Sequence, residues 1–76
     1  MSNDLPAITG REVIRAFEKA GFVEARQRGS HVILKKPGHP YLITVPVHSG
    51  RTVGRGLLRG LIQDAGLTVQ QFLNLL

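Results

Sequence analysis

The spacing of apolar side chains changes period twice along this chain, and that double switch constrains the fold more than any other feature. Val13, Ile14, Phe17 and Ala20 recur at helical intervals. Through the middle, a short apolar run, Val32-Ile33-Leu34, is followed by strand-period alternation of Ile43, Val45 and Val47 with Thr44 and Pro46. Helical spacing returns with Leu57, Leu58, Leu61, Ile62 and Ala65. The chain has 76 residues and no cysteine, so one small core must be assembled from these patterns without disulfides or a Cys-based zinc site.

Local signals set the boundaries. Met1 to Ile8 reads as a short tail, leaving 9–76 as a single domain. Thr9-Gly10-Arg11-Glu12 has capping-box form, a hydroxyl for early helix amides with a carboxylate three positions on. Gly21 suits the left-handed position past the end of that helix, with Phe22 packing back on its last turn. Residues 22–28 and 31–36 read as strands joined by a turn at Gly29-Ser30. After the break at Pro37-Gly38-His39-Pro40, Tyr41 to Val47 forms a third strand. Pro46 cannot donate to a ladder, so it belongs at a strand end or an edge. A second helix follows, ended by Gly66, and Thr68-Val69-Gln70-Gln71 caps a short third helix carrying Phe72, Leu73 and Leu76. The expected architecture is α+β, in the order α-β-β-β-α. It has a three-stranded antiparallel sheet, helices on one face and a short extra C-terminal helix.

Charge is distributed unevenly over that framework. From Arg26 to Gln63 there is no Asp or Glu, yet Arg26, Arg28, Lys35, Lys36, Arg51, Arg55, Arg59 and all three histidines lie there. With a formal charge of +5 overall, this block suits a polyanion, most naturally nucleic acid. The competing reading is an ordinary solvated surface, because charge excess alone names no ligand. No apolar run approaches the roughly 18 residues of a membrane helix, and the N-terminus has no signal-peptide pattern. The expectation is a protein of the reducing cytoplasm with no membrane partner.

The candidate chemistry lies on the strands. If Val32 and Leu34 point toward the helices, His31, Ile33 and Lys35 share the open face. The same alternation puts Thr44, Pro46 and His48 outward, so His31 and His48 lie on one face at a separation fixed by register. A metal nuclease needs clustered carboxylates, which this block lacks. An imidazole that takes the proton of a ribose 2′-hydroxyl, with Lys or Arg stabilising the phosphoryl oxygens, fits the residues present. His31 could equally be an exposed strand residue, and His48 could cap the loop before Ser49-Gly50. His39, between Gly38 and Pro40, reads as a turn residue. The three histidines form no recognised zinc motif, and no metal or cofactor is expected. Arg51, Arg55 and Arg59, four residues apart, would line one side of the second helix, as a phosphate track or a solvated stripe. Tyr41 is the one aromatic other than phenylalanine, which argues against a base-stacking platform.

Gly21-Phe22-Val23, Arg26-Gln27-Arg28-Gly29-Ser30-His31, Val45-Pro46-Val47-His48 and Ala65-Gly66-Leu67-Thr68 resemble, in order and spacing, the HicA family of toxin mRNA interferases. The G-S-H turn followed by V-P-V-H is the specific pair. The resemblance implies a fold similar to double-stranded-RNA-binding domains and ribosome-independent cleavage of mRNA. It implies His31 as the essential catalytic group and a HicB-type antitoxin as the partner that masks the active surface. The chain departs from many relatives at Val32, where they carry a second histidine, and at Gly38-His39-Pro40-Tyr41, where they have a polar, basic turn.

The leading expectation is therefore a metal-independent endoribonuclease toxin, monomeric by itself. His31 is its catalytic group and His48 a second proton carrier or phosphate ligand. Arg28, Ser30, Lys35, Arg51 and Arg55 are the candidate RNA-binding residues. Two rivals stay open: a non-catalytic RNA-binding module of the same fold, and a protein-interaction subunit whose sheet face serves a partner.

Overall fold

Thr9 starts the first helix as its sequence dictates. Its hydroxyl accepts the Glu12 amide at 3.2 Å, and the Glu12 carboxylate accepts the Thr9 amide at 2.9 Å. The backbone hydrogen bond from Thr9, then the side-chain one, holds the Glu12 carboxyl below its ordinary pKa. In this computed structural model, which describes residues 5–76, that cap opens α1 (Gly10–Lys19). Val13, Ile14, Ala16 and Phe17 form its buried face. Gly21, at φ +105°, then reverses the chain, with the Phe22 amide donating to the Phe17 carbonyl and the Gly21 amide to Glu18. Phe22 drops into the core 5.8 Å from the Phe17 ring, and Phe72 closes on Phe17 from the other end of the sequence at 5.4 Å.

The sheet is a meander of β1 (Val23–Arg28), β2 (His31–Lys35) and β3 (Ile43–Pro46) in the order β1-β2-β3, antiparallel throughout. Gly29 supplies a φ of +59° for the β1–β2 turn, and the Gln27 side-chain amide donates to its carbonyl. Val32 and Leu34 of the central strand and Ile43 and Val45 of β3 are buried. They meet the apolar faces of α1 and of α2 (Arg55–Asp64), both of which pack on β3. The expected α+β order and the one-sided helical cover are thus the observed ones. Among the described residues no helix is long and apolar enough to cross a membrane.

Five expectations need correction. Residues 5–8 are not a tail: Leu5 and Ile8 join the core, and the Ile8 carbonyl accepts the Val53 amide at 2.7 Å. Two apolar residues with no repeat around them carry no periodic signal. The expectation for Met1 to Asp4 lies outside the described residues. The third strand begins at Ile43 rather than Tyr41, so Tyr41 and Leu42 are exposed in the connection before it. Leu57 is also exposed, because Leu58, Leu61, Ile62 and Ala65 complete the buried stripe of α2 and Leu57 stands about 100° off Leu58. The third helix, α3 (Val69–Leu73), buries Phe72 but ends before Leu76, which is exposed. Finally, Arg51 precedes α2, so only Arg55 and Arg59 share the helix. The capping box expected at Thr68 and Gln71 is present.

Candidate functional site

The open face of the sheet is defined by register. Partners across antiparallel strands share a face, so the pairs Arg28–His31–Pro46 form one row, Arg26–Ile33–Thr44 the next, and Val23–Lys35 a third. His31, Arg28, Arg26, Lys35 and Thr44 are exposed, and no residue in these rows is acidic.

A bulge makes that possible. Between Glu24 and Arg26 the register shifts, with Ala25 as the extra residue. Strict alternation would put Glu24 on the same face as Arg26 and Arg28. The bulge instead pairs Glu24 with Leu34, on the helix side, where its carboxylate lies 3.7 Å from Arg11 of α1. Both side chains are well exposed, so this ion pair stabilises the fold little. Its consequence is positional: the one acid of β1 leaves the cationic face.

His31 occupies the first position of the central strand, directly after the Gly29-Ser30 turn and opposite both Arg28 and Pro46. The Ser30 carbonyl accepts the Val47 amide at 2.6 Å, which extends the β2–β3 pairing one step past Pro46. His48 therefore follows on the His31 side, exposed, at a diagonal position; such neighbours lie about 7–8 Å apart in antiparallel sheets. The His48 carbonyl accepts the Arg51 amide at 3.0 Å, closing a turn that ties Arg51 to the same end of the sheet. Gly54 caps α2 with no side-chain hydrogen bond, and Arg55 is the first helical residue.

The structure thus groups Arg28, His31 and His48 at one end of the open face, with Arg51 joined to them through the His48 turn, while Ser30, opposite Val47, belongs to the adjacent turn. Lys35 is separate, four residues from His31 and so about 14 Å along the strand. Arg26 is the cation that sequence reasoning left out of the candidate set. It stands one row from His31, opposite Ile33 in the regular register on the turn side of the bulge. Val32 is fully buried on the helix side, so a side chain at that position faces away from His31.

His39 is engaged elsewhere. Its Nε2–H donates to the Asp64 carbonyl at the end of α2 at 2.7 Å, and its ring meets Phe22 edge-on at 5.3 Å. It pins the β2–β3 connection to α2. A groove of about 220 Å³ lies between residues 6–8, α1 and the C-terminus, lined by Ile8, Glu12, Arg15, Lys19 and Leu75 among others. It contains none of the candidate residues. Among the described residues no three His, Cys, Asp or Glu side chains cluster as metal ligands.

Comparison with known proteins places this arrangement in a family. The sequence profile of the HicA toxin of bacterial toxin–antitoxin systems matches residues 10–67, a span running from the first residue of α1 past the end of α2. A solved toxin–antitoxin complex from Streptococcus pneumoniae contains a chain similar to this one, with a TM-score of 0.69 and 26% identity. The match covers 79% of this chain and 98% of that one. No curated protein sequence matches. On the profile match and the shared fold together, this chain belongs to the HicA toxin family of bacterial toxin–antitoxin systems.

Proposed function

We propose that this chain is the ribonuclease toxin of its system, a metal-independent endoribonuclease that cuts mRNA in the cytoplasm and is neutralised by a HicB-type antitoxin. The observation that carries the reading is the position of His31, exposed on a face that holds Arg26, Arg28 and Lys35 and no carboxylate. A histidine is the side chain best suited to exchange a proton near neutral pH. A surrounding surface of one positive sign draws in the phosphate backbone and leaves no like charge to repel it.

In this mechanism His31 takes the proton of a ribose 2′-hydroxyl as that oxygen attacks the adjacent phosphorus. The bond to the 5′-oxygen breaks, and the departing oxygen receives a proton from a second carrier, for which His48 is the candidate. The products are a 2′,3′-cyclic phosphate and a 5′-hydroxyl, with no atom required beyond substrate and the two imidazoles. Arg28 flanks His31 and stabilises the charge on the non-bridging oxygens, assisted by Arg51 and Arg55 from the next loop and helix. Lys35, further along the strand, holds a neighbouring phosphate. Ser30 contributes through its backbone, which fixes β3 beside His31. DNA has no 2′-hydroxyl and is not cut.

The test is cleavage of a long single-stranded RNA in EDTA by wild type and by His31→Ala, each checked for folding by circular dichroism. Wild type is expected to cut and His31→Ala to bind the same RNA without cutting it. Equal cutting by both proteins removes His31 from the site. Binding without cutting by both makes the chain an RNA-binding module instead.

A further inference from the structure

The end of the open face away from His31 differs chemically from the rest. Val23 is 48% exposed and pairs with Lys35. On the other side of Lys35, the next step of the β2–β3 register brings Leu42, which is 63% exposed. Tyr41 beside it is 61% exposed, with its ring edge against His39 at 5.8 Å. Half-buried Ile33 continues this surface toward the middle of the sheet. Single exposed apolar residues are ordinary, but a contiguous group on an otherwise cationic face is not.

RNA does not account for this group. The aliphatic Val23, Ile33 and Leu42 offer a nucleotide neither a hydrogen bond nor a ring to stack on, the phosphate chain is served by cations, and the one ring beside them, Tyr41, packs edge-on with His39. A protein segment does account for it. Val23, Leu42 and Ile33 would bury apolar surface, while Lys35 and Arg26 require acidic groups opposite them. The face holds no carboxylate of its own to compete, because the bulge turns Glu24 to the helix side.

We propose that the Val23–Lys35–Leu42 end of the sheet is the docking surface for an acidic segment of the antitoxin that carries apolar side chains. This rests on the reading of the chain as a toxin held by such a partner. Docking there sets the affinity, and the docked segment covers the path to His31 without needing the imidazole itself. Neutralisation and catalysis are then separable by substitution on one face.

The test uses the doubly substituted Val23→Thr/Leu42→Ser protein, which changes no charge and keeps a β-branched residue in β1. Its partner is the purified HicB-type protein encoded beside this chain, titrated calorimetrically. Antitoxin affinity is expected to fall by at least about 30-fold, the loss typical of an interface hot spot, while RNA cleavage by the free protein is unchanged. His31→Ala is expected to keep wild-type antitoxin affinity. Equal antitoxin binding by wild type and the double variant overturns the docking surface and leaves the nuclease reading intact. Loss of RNA binding by the double variant reassigns the patch to the RNA path. A wild-type dimer in sedimentation that the double variant dissolves reassigns it to a second copy of the chain. Failure of the antitoxin to bind wild type overturns both the docking surface and the neutralised-toxin reading.

Discussion

Two glycine-to-alanine substitutions, chemically identical, should have opposite effects on stability. Gly10 is the first residue of α1, and a Cβ there would collide with the Pro46 carbonyl oxygen and stand 3.1 Å from Val47 Cγ2. A backbone oxygen has no rotamer to escape into, so α1 must retreat from β3 or β3 must shift. Overpacking of this kind costs about 1–3 kcal/mol, against a helix-propensity gain of at most about 1 kcal/mol. Gly10→Ala should therefore lose about 1–2 kcal/mol. Gly60 lies inside α2, and a Cβ there meets nothing within 4 Å. Gly60→Ala should gain about 0.5–1 kcal/mol from propensity alone. For a domain of this size each kcal/mol moves Tm by about 4–8 °C, so the two variants should be separated by about 6–24 °C. Thermal and urea unfolding followed by far-ultraviolet circular dichroism resolve that difference, with an unchanged m-value showing that the unfolded state is the same. Wild-type stability in Gly10→Ala would refute the close approach of α1 to β3. A destabilised Gly60→Ala would refute the open space around α2. Because Pro46 is opposite His31 in the register, Gly10→Ala should also lower RNA cleavage by the protein that remains folded.

Acid stability should depend on Glu12. Its pKa is lowered by the hydrogen bonds from Thr9, so its contribution is complete above the ordinary glutamate range and is lost as pH falls through the lowered value. Urea midpoints measured across the acid range should fall more steeply for wild type than for Glu12→Gln; parallel curves would exclude the link. His39→Ala should lose about 1–2 kcal/mol, from the bond to the Asp64 carbonyl and the edge contact with Phe22. Its RNA cleavage per folded molecule should match wild type, and a specific loss of cleavage would place His39 in the site after all.

Most of the fold was legible because its signals are local. Thr9 with Glu12 and Thr68 with Gln71 specify two helix starts within four residues each, and Gly21 specifies a stop. Alternation ties His31 to the face opposite Val32 and Leu34, but with Ile33 apolar between them the choice of inward face was conditional until the burial of Val32 and Leu34 decided it. The illegible parts depend on contacts between distant segments. Ile8 and Thr9 are held in place by Val53 and Thr52, far along the chain, and Leu5 and Ile8 join the core. The Glu24–Arg26 shift left no mark in a strand whose residues are all exposed, since neither register buries anything more than the other. The facing of Glu24, on the far side of the bulge, therefore had to come from the structure. The proximity of His48 to His31 likewise awaited the pairing of Ser30 with Val47.

The bulge in β1 also bears on how the protein survives at high concentration. β1 is an edge strand whose six residues are all exposed, and its outer row of amides and carbonyls has no partner strand within the sheet. A long flat edge of that kind is a template for pairing with another chain and so for aggregation. Ala25 breaks the flat row near its midpoint, and Arg26 and Arg28 add like charges that a second β1 would have to approach. Removing Ala25 would keep every side chain of β1 on its present face, because the bulged residue is the extra one. It would also straighten the edge. Deleting Ala25 is therefore expected to lower solubility.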